Sequence, residues 1–172
     1  MLTKERHILR HNWESLRAEI ERIIVDKKLY TTDFKRLNIH EGWKALEENI
    51  YYTFCKFDHP TKRTVWLWEH FKLDTFSLVI EQPYKYLDKL VDKDEIVWFF
   101  VNGDKDKFWF YEGKVKAIMT VIEESSYIPD LYLASKKYQW LICINHHDVL
   151  IATGQTMSDK LEQLQMTIQN SR

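Results

Sequence analysis

The side chains best suited to chemistry lie close together in the last third of the chain. They are Cys143, His146, His147 and Asp148. Imidazole nitrogens, a carboxylate and a thiolate are the ligands that zinc takes in proteins. Because adjacent side chains point to opposite sides of an extended chain, the two histidines are expected to point apart. Asn145 and Asp148 favour a hairpin turn in which polar side chains bond to their own backbone.

A metal site would need further ligands from elsewhere in the chain. No second cluster of His or Cys has metal-ligand spacing, and His40, His59 and His70 could complete a site only through the tertiary fold. We therefore expect no metal and no cofactor. His146, His147 and Asp148 are turn residues to which the sequence assigns no role.

Covalent and nucleotide chemistry also lack a motif. Cys143 lies in the apolar stretch 140–144, where burial would raise its pKa and make the thiol inert. The chain contains no G-x-S-x-G, G-x-G-x-x-G or G-x-x-x-x-G-K-[ST]. The sequence thus predicts no catalytic residue. A small enzyme or metal-binding protein that uses the region from Cys143 to Asp148 remains the alternative.

The aromatic content suggests a different role. The chain has seven Trp, nine Tyr and nine Phe, and most of them are expected in the core. Trp and Tyr are also common anchors of protein interfaces. The candidate partner-binding residues are Tyr51, Tyr52, Trp66 and Trp68, because they lie where the predicted elements are least regular and the aromatics exceed what one helix face can bury. Core packing is the alternative at each position.

The composition of the 172 residues is that of a single folded domain. Hydrophobic residues make up 45% and charged residues 30%, and the net charge is −1. This balance gives no basic surface for nucleic acid, and no apolar stretch is long enough to cross a membrane. Without an apolar signal segment, and with Cys55 and Cys143 in apolar settings, we expect a cytoplasmic protein with reduced thiols. Nothing predicts an oligomeric state.

The first part of the chain, residues 1–60, is predicted to be helical and to pack on a core formed by 64–172. A helix over 5–27 carries an apolar stripe at spacings of three and four. A second helix is predicted over 41–56, and 64–71 are left as either strand or helix. The stripe of the first helix consists of Leu9, Trp13, Leu16, Ile20 and Ile23.

The second part predicts an α+β fold with a mainly antiparallel sheet of about five to six strands covered by helices. The run 96–101 is expected at the sheet centre, and a loop over 102–107 joins it to 108–111. Further strands are predicted over 76–80, 131–135, 139–145 and 149–153, with helices starting at Pro83, over 114–124, and over 157–168 after a capping box at 156–159. The side chains expected in the core are Trp98, Phe100, Phe110, Leu141 and Ile151.

Part of this second half resembles known proteins. Residues 107–113 read KFWFYEG, 132–143 read YLASKKYQWLIC, and 145–148 read NHHD. This succession of a strand, a lysine-containing turn, a Trp-Leu strand and a His-His turn resembles small bacterial proteins of unassigned function, over about residues 95–155. Several such families, including the SUKH-like group, are associated with polymorphic toxin systems as immunity proteins. The resemblance implies a non-catalytic immunity protein with a cognate toxin as its partner, and it carries over no binding residue.

Overall fold

The computed structural model describes residues 15–38, 40, 42–57, 63–103 and 107–171. The predicted stripe residues Leu9 and Trp13, the candidate ligand His59 and part of the loop after 96–101 lie outside these ranges. The first described helix begins after Ser15, whose Oγ accepts a hydrogen bond from the backbone N of Ala18 at 3.1 Å. A serine in this position satisfies one of the free amides at the start of a helix.

The described residues form five α-helices and seven strands. The helices are α1 Leu16–Asp26, α2 Trp43–Phe54, α3 Leu87–Leu90, α4 Val115–Glu124 and α5 Gln155–Asn170, with 3₁₀ turns at Leu67–Glu69 and Pro83–Tyr86. The strands are β1 Phe34–Arg36, β2 Thr75–Val79, β3 Ile96–Asn102, β4 Phe108–Lys114, β5 Leu131–Ser135, β6 Leu141–Ile144 and β7 Val149–Thr153. Within the described ranges, no helix is both long and apolar enough to cross a membrane.

All seven strands belong to one sheet in the order β1-β4-β3-β5-β6-β7-β2. Every neighbouring pair is antiparallel. The predicted α+β class with an antiparallel sheet is therefore confirmed, and the sheet has more strands than expected. One strand that the sequence does not predict is β1, which lies within the part predicted to be helical.

Side chains alternate along each strand and fill two separate cores, one on each face of the sheet. On β3, Val97 and Phe99 face the first core, which α1, α3, α4 and α5 cover. Phe100 faces the second core, which α2 and residues 63–71 cover. There Phe100 stacks on Tyr132 with ring centroids 5.0 Å apart. Both faces are covered, as the continuous apolar run at 96–101 predicts.

Four of the five side chains predicted to be buried are buried: Phe100, Phe110, Leu141 and Ile151. The prediction for Trp98 is wrong, because this side chain is only half-buried. Trp98 lies opposite Glu112 on the neighbouring strand, and the Lys136 ammonium group lies 4.5 Å from the centre of its ring. The side chain packs against the second core, and a lysine covers its ring where an apolar layer was expected.

Several predicted boundaries also change. Residues 64–71 are neither a full strand nor a full helix; they contain the 3₁₀ turn and one bridge from Phe71 to Cys55. The helix after Pro83 is a 3₁₀ turn followed by the short α3. The capping box at 156–159 does not form, because α5 begins two residues earlier at Gln155. Gly154 precedes it with a left-handed φ of 94° and makes no side-chain cap.

Candidate functional site

Residues 145–148 connect β6 to β7 as the predicted hairpin. The backbone N of Asp148 donates to the carbonyl O of Asn145 at 2.9 Å, and Asp148 has a left-handed φ of 59°. Asn145 Oδ1 accepts hydrogen bonds from the backbone N of His147 at 3.0 Å and of Val149 at 3.1 Å. The Asn145 side chain therefore fixes the turn that presents the two histidines.

His146 is tied to the buried carboxylate of Asp130. Asp130 Oδ1 lies 3.2 Å from both the backbone N and the ring Nδ1 of His146. The Asp130 side chain is fully buried, and its Oδ2 has no hydrogen-bond partner among the described residues. This contact holds the His146 ring against the end of the sheet. The sequence pattern does not single out Asp130.

The two histidine rings do not point apart. Their centroids are 4.0 Å apart, because the turn geometry replaces the extended backbone on which the expectation rested. Trp68 lies edge-on to both rings, at 5.8 Å from His146 and 6.1 Å from His147. Trp66 lies 6.3 Å from His146. We call Trp66, Trp68, His146 and His147 the turn cluster. It brings together two candidate sets that are about 80 residues apart in the sequence.

The two candidate tyrosines lie in different environments. Tyr52 is 82% exposed on the outer side of α2, and the Lys72 ammonium group lies 5.2 Å from its ring. Tyr51 is buried and its hydroxyl donates to the carbonyl O of Thr64 at 3.0 Å. Burial raises the pKa of the Tyr51 phenol. Among the four candidate anchors, Trp66 and Tyr52 have large exposed surfaces, with Trp66 at 47%.

Cys143 lies in the second core, beneath the sheet and away from solvent. Its side chain is fully buried, and this burial raises the pKa of the thiol well above its usual value. A thiol with a raised pKa stays protonated at neutral pH, which disfavours both nucleophilic attack and metal binding. Within the described ranges, no group of three or more His, Cys, Asp or Glu side chains is arranged to hold a metal ion.

A cleft of about 640 Å³ opens at the β1 edge of the sheet. β1 pairs with residues 111–113 of β4, and the backbone N of Leu37 donates to the carbonyl O of Phe110 at 3.0 Å, so the edge at Phe108 and Trp109 is left beside the cleft. Helix α2 and residues 63–66 form the opposite wall, and Trp66 belongs to both the cleft and the turn cluster. The aromatic side chains that line it are Trp43, Tyr51, Trp66, Phe108, Trp109, Phe110 and Tyr111.

The cleft lining also carries charge. Four lining residues are basic (Arg17, Arg36, Arg63 and Lys107), and Glu47 is the acidic one among the described residues. Burial raises the pKa of the Glu47 carboxyl, which disfavours its negative charge. Sequence reasoning does not find these residues as a set, because they come from α1, β1, α2 and residues 63 and 107, which only the tertiary fold brings together around β4, and no motif links them.

Residues 12–165 match a protein family described as a family of unknown function, DUF6756. The chain belongs to this family. The match covers most of the chain, including the turn cluster and the cleft. No curated protein matches the chain, and no solved structure does. Membership of DUF6756 therefore assigns no activity, and the geometry of the two sites carries the functional argument.

Proposed function

We propose that this chain is a non-catalytic protein-binding module that acts stoichiometrically by covering a surface of its partner. The observation that carries the proposal is the exposure of Trp66 within the turn cluster. Trp66 is 47% exposed, and its ring lies 6.3 Å from that of His146, which Trp68 also contacts. A partly exposed Trp on a supported aromatic surface has the character of an interface anchor.

The surface around Trp66 is well supported from below. Leu67 is fully buried, and its backbone N donates to the Tyr132 hydroxyl at 3.1 Å. On the other side, the Asp130 contact positions His146. An anchor that is already held in place loses little conformational entropy on binding. These contacts therefore favour recognition by a largely preformed surface.

The resemblance to immunity proteins extends the proposal to a partner. We propose that the partner is a toxin encoded beside this protein's gene and neutralised in the cytoplasm of the producing bacterium. An enzyme or metal-binding protein that uses the region from Cys143 to Asp148 has less support, because the Cys143 thiol is buried with a raised pKa.

The test is co-expression of the chain with the neighbouring toxin, measuring growth and complex formation. We expect protection at a one-to-one ratio and a complex that co-elutes in size-exclusion chromatography. Trp66→Ala should weaken binding by about 2 kcal/mol, or roughly 30-fold, because it removes a central aromatic anchor.

The matched control is Tyr30→Ala. Tyr30 is 73% exposed on the connection between α1 and β1. The substitution therefore removes a comparable exposed ring outside the turn cluster. Its affinity should equal that of the wild type. Protection at strongly sub-stoichiometric amounts, or equal binding by Trp66→Ala and the wild type, would refute the proposal.

A further inference from the structure

We propose that the cleft beside β4 is a binding pocket for a small aromatic carboxylate. This pocket goes beyond the protein-binding function proposed above; the two sites share Trp66, and the pocket does not depend on the protein partner. Three independent features support it: the shape and lining of the cleft, the positions of its cations, and two buried donors in its wall.

The size and lining of the cleft suit a small flat ligand. Its volume of about 640 Å³ is in the range of pockets that enclose small organic molecules, about 300–1,000 Å³. Such pockets are mostly apolar with a few placed polar groups. Here the indoles of Trp43 and Trp109 and the ring of Tyr51 provide apolar walls. Aromatic rings prefer stacked or edge-on contact with another ring, which favours an aromatic body in the ligand.

The charges in the lining favour an anion. Arg36 and Arg63 already pair with Glu21 and Glu48. No ion pair joins Arg17 or Lys107 to another described residue, and the Arg17 guanidinium lies 4.6 Å from the centre of the Trp109 ring. A guanidinium beside an apolar wall can bind a carboxylate with two parallel hydrogen bonds. Arg17 is therefore the residue assigned to the carboxylate.

Two hydrogen-bond donors in the same wall support an oxygen-bearing ligand. Trp109 Nε1 and the Tyr111 hydroxyl are buried and have no hydrogen-bond partner among the described residues. Burial raises the pKa of Tyr111, so its phenol keeps the proton that it would donate. A buried donor without an acceptor lowers stability. Neither atom is exposed to solvent, and Trp109 Nε1 lies against Gly103, so a ligand oxygen that enters beside Arg17 accepts from one of these donors only once that side chain turns towards the cleft.

The experiment compares two probes of equal shape, 2-naphthoate and its neutral amide, by isothermal titration calorimetry on the full chain. We expect the naphthoate to bind about tenfold more tightly, because only the carboxylate forms a charge-assisted hydrogen bond to Arg17. Equal affinities, or no binding of the naphthoate at millimolar concentration, would overturn the proposal.

Three variants locate the probe. Arg17→Gln should abolish the preference for the carboxylate, whereas Arg22→Gln should keep it. Arg22 is on the same helix, is exposed and pairs with Asp26 at 3.6 Å. Its substitution therefore removes the same charge at a position outside the cleft. A preference that survives in Arg17→Gln would contradict the assignment. Trp109→Phe keeps an aromatic wall and should weaken the naphthoate through the lost N–H; unchanged affinity would remove Trp109 from the pocket.

The two proposals fail separately. Loss of the naphthoate preference in Arg17→Gln concerns the cleft alone, and this variant should still bind the protein partner. Trp66→Ala tests the turn cluster through complex formation with the toxin. An Arg17→Gln chain that loses the toxin complex would show that the cleft is part of the protein interface, and would overturn the independent pocket.

Discussion

At the scale of single residues, the Tyr132 hydroxyl joins the sheet to the segment that carries Trp66. It donates to the carbonyl O of Val65 at 2.7 Å and accepts from the backbone N of Leu67 at 3.1 Å. Residues 64–71 have little regular secondary structure, so few of their backbone groups bond within the segment. A side chain on β5 satisfies two of them. This buried phenol therefore helps to fix the position of the turn cluster, together with the bond from the Tyr51 hydroxyl to Thr64 and the bridge from Phe71 to Cys55.

Tyr132→Phe tests this dependence. The variant leaves a buried donor and a buried acceptor unpaired, so the free energy of unfolding should fall by about 1–3 kcal/mol in urea denaturation. Hydrogen exchange at the Leu67 amide should become faster than in the wild type. The control, Tyr30→Phe, changes an exposed ring and should alter stability by less than about 0.5 kcal/mol. An unchanged exchange rate at Leu67 would show that the segment is held by other contacts.

At the scale of elements, the second half of the fold could be predicted and part of the first could not. The strands β3 to β7 and the helix α4 follow from apolar runs, turn residues and helical periodicity. β1 could not be found in this way, because three residues, Phe34–Arg36, carry no measurable alternation. Its pairing with Gly113 and Tyr111 is a long-range contact that forms the edge beside the cleft.

The candidate site, too, could be predicted only in part from the sequence. The hairpin at 145–148 follows from local turn chemistry, and Trp66 and Trp68 were selected for their residue type. Their contact with His146 depends on how residues 63–71 cross the sheet, which no local pattern encodes. The prediction that Trp98 is buried is wrong for a related reason. The apolar run predicts burial on both faces, but on the second face Lys136 and Glu112 occupy the space beside this ring.

The start of α5 gives a prediction at this scale. Gly154 has a φ of 94°, and an added Cβ would lie 2.4 Å from the carbonyl O of Gln139. Gly154→Ala should therefore lower the free energy of unfolding by about 1–3 kcal/mol or more, through backbone strain and this clash. Gly42→Ala is the matched control, since Gly42 has a φ of 72° but no atom within 4 Å of the added Cβ. Urea denaturation should show the larger loss at 154; equal losses would mean that the clash is relieved.

At the scale of the whole molecule, burial of ionisable side chains in both cores makes stability depend on alkaline pH. Burial raises the pKa of the Cys55 thiol to about 12 and that of Cys143 well above its usual value. The phenols of Tyr51, Tyr111 and Tyr132 also have raised pKa values, chiefly through burial. In the unfolded chain these groups have their ordinary pKa values, about 8.5 for thiols and about 10 for phenols.

Because these pKa values are raised in the folded chain, its stability falls as pH rises in the alkaline range. Between about pH 9 and 12 the folded chain keeps protons that the unfolded chain has lost, so unfolding releases protons and stability falls as pH rises. The stabilising contribution is fully present below about pH 8. Each group that has ionised only in the unfolded chain lowers the free energy of unfolding by about 1.4 kcal/mol per pH unit. Urea denaturation from pH 7 to 10.5 should show a nearly constant stability up to about pH 8 and a steepening loss above it.

Cys143→Ala separates the thiol contribution from the rest. The variant is expected to be less stable at every pH, because a fully buried side chain is shortened. Above about pH 9 its loss of stability with pH should be shallower than that of the wild type by up to about 1.4 kcal/mol per pH unit, since one group no longer ionises in the unfolded chain. Parallel curves for the two proteins would mean that the Cys143 thiol ionises in the folded protein as readily as in water. That outcome would contradict its burial, and it would restore Cys143 as a candidate nucleophile or metal ligand beside His146 and His147.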